Sequence, residues 1–244
     1  MQINKTDVLA HEISTAIHKG NVETLKQLLQ DNPGLATARI VDNKGCERTL
    51  LHVAADWPGH FPNIRETIRA IIEAGAEPSP SFIGGNGHAE TPLHGAASSD
   101  DVDAIDALLD GGADIEAPGA IFTGGTAMSD AVVFANYNAA RRLVERGAQT
   151  TIWQAAALGL FDRVEKYFAA ETPPDEREIT GAFWHACRGG QQPTVEYLLE
   201  RGAEINWLPP WDKVTPLHAA KQSGNENLVQ WLESKGAKMA TELT

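Results

Sequence analysis

The chain has 244 residues, 42% of them hydrophobic, and sets 20 Lys and Arg against 33 Asp and Glu for a formal charge of −13. That balance, with no basic run denser than Arg141-Arg142 and Arg146, excludes nucleic acid and anionic membrane as expected partners, and those arginines read as a solvated helix face. No segment approaches the roughly 20 apolar residues of a membrane span, no apolar leader core opens the chain, and Cys46 and Cys187 have no metal-ligand spacing, so a cytoplasmic protein with reduced thiols is expected.

In chain order, a first predicted helix pair runs from about His11 to Pro33, with Leu25, Leu28 and Leu29 at helical spacing and polar flanks. The second starts at Thr49 in Thr-Leu-Leu-His, continues through Ala54-Ala55 and ends at Gly75-Ala76. The third starts at Thr91 in Thr-Pro-Leu-His, followed by Ala96-Ala97, then by Ile105, Leu108 and Leu109, and ends at Gly112-Ala113. Further starts are expected at Thr126, Thr150 and Gly181, the last followed by Val195, Leu198 and Leu199. A second Thr-Pro-Leu-His opens the seventh at Thr215 and is followed by Ala219-Ala220, Val229, Trp231, Leu232 and Gly236-Ala237. Each position has a physical role. Thr caps free backbone N–H groups, Pro suits the first turn, the Ala pair lets helices approach, and Gly accepts the left-handed conformation where the second helix stops.

A succession of this kind, recurring at about 33 residues, marks stacked helix hairpins. In its Thr-Pro-Leu-His tetrapeptides and closing Gly-Ala pairs, the chain resembles the ankyrin repeat over roughly residues 11–238, in about seven repeats. The resemblance implies an all-α helical-hairpin solenoid with loop fingers, a single domain spanning 1–244, and recognition as its task. The histidines of the tetrapeptides, His52, His94 and His218, are expected to hydrogen-bond backbone between neighbouring repeats, not to hold metal. No cofactor and no metal site are expected, and a monomer is.

The departures from the pattern supply the candidate site. Between the helices of the second repeat, Asp56, Trp57, His60 and Phe61 lie in a Pro-braced insertion, at a turn that the resemblance puts on the rim of the groove. Two readings stand: a binding loop, or a satellite cluster in which Trp57 and Phe61 cover the helix pair. The loop ahead of Thr91 adds His88 and Glu90, and Ser98 and Ser99 follow the first helix of the third repeat, which would make a pocket between repeats two and three.

From the fourth to the sixth repeat, the histidine position becomes Ser129, Trp153 and Trp184 and the next becomes Asp130, Gln154 and His185. Stacking would align these as a polar and aromatic stripe walled by Phe134, Tyr137 and Leu158. The alternative is that the aromatics only fill space. Trp207 and Trp211 mark a further finger, as contact tip or as lid.

Two functions therefore compete. One is a binding scaffold that holds a protein segment or a small-molecule ligand. The other is a small-molecule enzyme with an acid–base site drawn from His60, Asp130 and His185, since histidine ionises near neutrality. No nucleophile elbow, phosphate loop or metalloprotease motif is present to name a reaction.

Overall fold

Thr49, Thr91, Thr126, Thr151 and Thr215 all stand in extended backbone immediately before a helix, and Pro92 and Pro216 occupy the first turn of theirs. In this computed structural model, which describes residues 1–81 and 89–243, those threonines open the first helices of successive hairpins. Among the described residues the helices follow one another in seven pairs. They are α1 (Val8–His18) with α2 (Val22–Asp31), α3 (Leu50–Ala54) with α4 (Ile64–Glu73), α5 (Pro92–Ser98) with α6 (Val102–Asp110), and α7 (Ala127–Val133) with α8 (Tyr137–Glu145). Then come α9 (Ile152–Leu158) with α10 (Phe161–Phe168), α11 (Glu176–Arg188) with α12 (Gln192–Glu200), and α13 (Pro216–Ser223) with α14 (Glu226–Ser234).

The chain divides into two compact units, Met1–Ala148 and Gln149–Thr244. In the N-terminal unit the first helices α1, α3, α5 and α7 pack in one row and the second helices α2, α4, α6 and α8 in another. In the C-terminal unit α11 packs between α9 and α13, while α10 packs on α12. The cores are aliphatic and small: Ile13, Leu25, Leu51, Ile68, Leu93, Ile105, Leu108 and Leu143 are sealed in the first unit, Phe183, Val195, Leu198 and Leu228 in the second. Gly95 is needed on α5 because a Cβ there would come within 2.7 Å of the Ala55 carbonyl oxygen.

Hydrogen bonds tie neighbouring hairpins in two directions. Asn63, Asn136 and Asn225 each donate from Nδ2 to a carbonyl of the preceding hairpin, at or just after the end of its first helix: Gly20, Ala97 and Gly190, all at 2.9 Å. In the other direction the His52 and His94 rings accept the Thr49 and Thr91 N–H at Nδ1, which leaves Nε2–H to donate to the carbonyls of Glu90 (3.1 Å) and Gly125 (3.3 Å). Burial, outweighing the backbone hydrogen bond, holds His52 at about 4 and lowers His94, so both rings are neutral at pH 7. The structural role expected for these two is what the geometry contains. His218 differs: its backbone N–H bonds Thr215 Oγ1, and no hairpin follows it among the described residues. Replacing His94 by Ala should cost about 1–3 kcal/mol in a urea melt by stranding the Thr91 and Gly125 groups.

The second helices of the N-terminal unit share a charge network. Asp106, whose side chain is 5% exposed, receives Arg65 from α4 at 2.9 Å and Arg142 and Arg146 from α8 at 2.7 and 2.8 Å. Arg65 also binds Asp103, and Arg146 binds Asp110. Burial pushes the Asp106 carboxyl upward, but the three guanidiniums together overcome it and hold the group at about 2. Arg142 and Arg146 are therefore not merely a solvated face. The reason was invisible locally, because their partner lies 36 and 40 residues away.

Three further details correct the sequence reading. A small sheet joins β1 (Gln2–Asn4), β2 (Arg39–Val41) and β3 (Glu47–Thr49), with β1 parallel to β2 and β3 antiparallel to it. The fifth hairpin is capped by Thr151, not Thr150, so Gln154 takes the histidine position and Trp153 the one before it. And α11 starts at Glu176, ahead of Gly181, because Asp175 and Glu178 form a reciprocal cap.

Candidate functional site

The hairpin from β2 to β3 sets one wall of the site. Asp42 turns it tightly, its Oδ1 accepting the N–H groups of Lys44 (2.8 Å) and Cys46 (3.0 Å). This places Lys44, Cys46 and Arg48 along a finger that faces the first helices α3 and α5. Arg48 is ion-paired with Asp56, and Asp56 also accepts the Trp57 N–H at 3.0 Å. Trp57 precedes a cis proline, Pro58, and stands 80% exposed.

Between these groups lies a cavity of about 460 Å³. His52, Glu90, Thr91 and Pro92 line its back, Gly95, Ser98 and Ser99 its floor along α5, and Ile121 its far edge. The floor is small-sided, which leaves the volume open. The rim is charged and aromatic. Asp56, Trp57, Glu90, Ser98 and Ser99, named from the sequence, are thus brought together. Lys44, Cys46, Arg48 and Ile121 were missed, since loop charges carry no periodicity and the short sheet that positions them gave no signal.

Behind Glu90 and Ile121 sits Asp130, on α7 and only 1% exposed. Burial, and then the negative charge of Glu90, push its carboxyl to about 7, against a smaller opposing pull from the Ile121 backbone N–H. Its Oδ2 has no hydrogen-bond partner among the described residues, and neither has the buried Oγ of Ser99.

Other candidates fall elsewhere. The His60 ring nitrogen Nε2 pairs with the Ser99 carbonyl at 3.0 Å, and the His60 N–H donates to Asp101 at 2.6 Å, so this residue buttresses the floor from outside the cavity. Phe61 stacks on His18, ring centroids 4.5 Å apart, which is the covering role left open for it. Phe134 packs on Phe122 at 5.8 Å, both side chains exposed, and Tyr137 begins α8 half-buried. His88 lies outside the described residues.

Within the C-terminal unit, Trp184 is a core residue, 2% exposed, whose indole N–H donates to the Val214 carbonyl at 2.7 Å. That carbonyl precedes Thr215, as Glu90 and Gly125 precede Thr91 and Thr126, so Trp184 performs the bond that histidine makes in other hairpins. The His185 ring sits 4.6 Å from Trp153 and 4.9 Å from Trp184. Burial, with a smaller contribution from Arg188, holds it at about 3 and therefore neutral at pH 7. Asp130 belongs to the N-terminal unit and His185 to the C-terminal unit. Trp207 and Trp211 meet edge to face at 5.4 Å on the finger before α13, with Trp211 exposed. Among the described residues no group of three or more His, Cys, Asp or Glu is placed to hold a metal ion, and no helix is long and apolar enough to cross a membrane.

Two family models match the chain: "Ankyrin repeats (3 copies)" over residues 152–242 and "Ankyrin repeat" over residues 89–120. Among solved structures, the crystal structure of the human ASB11 ankyrin repeat domain is similar at a TM-score of 0.51 and 18% identity, over 90% of this chain and 96% of that one. No curated protein matches the chain.

Proposed function

We propose that this chain, which belongs to the ankyrin repeat family, is a recognition scaffold whose N-terminal unit binds an extended protein segment in the cavity between the β2–β3 finger and α5. The observation that carries this reading is Trp57. A tryptophan 80% exposed, braced by an ion pair at its base and overhanging an open small-residue floor, has no use in the folding of its own hairpin. Exposed aromatics at the edge of a pocket are the residues that dominate contact energy in protein interfaces.

The test is a segment selected from a display library of random linear peptides on the full chain, with its site mapped by amide chemical shifts. Shifts should concentrate at residues 44–57 and 90–99. Trp57→Ala should weaken the selected segment by about 2 kcal/mol, roughly thirtyfold in Kd. Shifts confined to the Trp207–Trp211 finger, with Trp57→Ala binding as tightly as the parent, would overturn the assignment.

A further inference from the structure

Asp130 is sealed on α7, 1% exposed, and its Oδ2 has no hydrogen-bond partner among the described residues. The binding cavity does not use it. A neutral carboxyl tolerates such a place at modest cost. An ionised one with an unpartnered oxygen does not, and the cost is avoided either by keeping the proton or by letting water in. Where water enters depends on which neighbour yields first.

The helices around it are firmly packed. Both α5 and α8 pack on α7, with Leu93 and Ala97 sealed on the one and Ala140 and Leu143 on the other. The third neighbour is the finger of residues 119–125, whose Ile121 N–H bonds the Asp130 carboxyl. This finger is held mainly by itself. Gly119 and Ala120 donate to the Gly125 carbonyl at 2.8 and 2.9 Å, and Gly124 donates to the Ala120 carbonyl at 2.7 Å. Its tie to α5 is the 3.3 Å bond from His94 to the Gly125 carbonyl. Within the finger only Ala120 is sealed, and Phe122 is 69% exposed. Its fit is close but shallow: at Gly119, φ 145°, a Cβ would fall 2.4 Å from the Ala89 carbonyl oxygen.

The surrounding charges do not relieve the acid. Glu90, just ahead of α5, adds a second negative charge, and after burial it is the next cause that opposes ionisation. His94 on α5 is neutral at pH 7. On α8, Arg142 and Arg146 are turned to Asp106, and Arg141 is exposed. The finger itself carries no charged residue.

We propose that Asp130 is a latch for this finger: protonated, it lets the finger close on α7, and ionised, it loosens it, so that the far edge of the cavity is firm in acid and mobile above neutrality. The latch acts through Ile121, which belongs both to the finger and to the cavity edge. It needs no ligand, so its failure would leave the recognition site standing.

The test is hydrogen exchange on the full chain from pH 5 to 8, with each amide's rate corrected for its chemical dependence on pH. Protection of the amides in residues 119–125 should fall about tenfold per pH unit between pH 5 and 7 and level off above, since opening releases one proton. At every pH the amides of Ile105 and Leu108 on α6 should stay at least about a hundredfold more protected, because the finger opens without the unit. Asp130→Asn should hold the finger's protection constant across the range. Glu90→Gln should move the levelling-off to lower pH. Finger protection that does not change with pH would overturn the proposal, and so would the parent's fall persisting in Asp130→Asn. Finger amides as protected as those of α6 would overturn it too, by showing that the finger opens only when the whole unit unfolds.

Discussion

Asp130→Asn should make the protein more stable at pH 8, by about 2–4 kcal/mol, and should leave it nearly unchanged at pH 4. The sign follows from proton counting. The folded carboxyl is raised from its ordinary 3.8 to about 7, with burial as the main cause and the Glu90 charge second. Between those values the folded state holds a proton that the unfolded state has released, so stability falls as pH rises and levels off above about 7. Asparagine has nearly the same shape and no charge to desolvate, so the slope disappears with it. Urea melts at intervals from pH 4 to 8 on the two proteins measure this directly. Parallel profiles, or a variant less stable than the parent at pH 8, would show that the carboxyl is solvated or already compensated.

Asp106 is the opposite case, and Asp106→Asn should destabilise by about 3 kcal/mol at pH 7. Here the folded pKa is depressed, because Arg142, Arg65 and Arg146 together outweigh the effect of burial. The contribution is fully present above the ordinary 3.8 and is lost as pH falls through about 2. The parent should therefore show an acid limb in its stability profile that the variant lacks. Urea is the denaturant to use, since a guanidinium salt would screen the network under test. A loss under about 0.5 kcal/mol would place this cluster with ordinary surface ion pairs, which contribute little. Two buried aspartates 24 positions apart in sequence thus tilt the pH profile in opposite directions.

What could be read from the sequence was whatever local chemistry repeats. Thr-Pro-Leu-His announces a capped helix start through short-range hydrogen bonds and a fixed proline φ, so the threonine starts, the paired helices and the structural role of His52 and His94 were all legible. Where two threonines adjoin, at Thr150 and Thr151, the same signal is ambiguous by one residue, and that slip misplaced Trp153. The sheet was not legible, because strands of three residues carry no periodicity and are held by partners as far apart as Gln2 and Arg39. Trp184 was noticed for breaking the pattern and read either as part of a polar and aromatic stripe or as a space-filler, whereas it preserves the hydrogen bond that the pattern exists to make. About half the candidate site was visible, as the unusual insertion around Trp57. The other half, Lys44, Cys46 and Arg48, depends on a finger whose orientation only tertiary structure fixes.

The two-way ties between hairpins carry a consequence for how such a chain can change length. A ring from the first helix reaches forward to the carbonyl before the next threonine, while an asparagine at the turn reaches back to the hairpin behind. Where both ties meet, between the third and fourth hairpins and between the sixth and seventh, the junction is a plug and a socket of standard form, and a hairpin that offers both can follow another that does. Because tryptophan serves as well as histidine for the forward plug, the standard is a donor at a given reach and not a particular side chain. Lengths intermediate between whole hairpins leave one plug or one socket empty in a dry interior, so change in this array is quantised: it proceeds by the hairpin, and the residues inside each one are free to diverge wherever no tie passes through them.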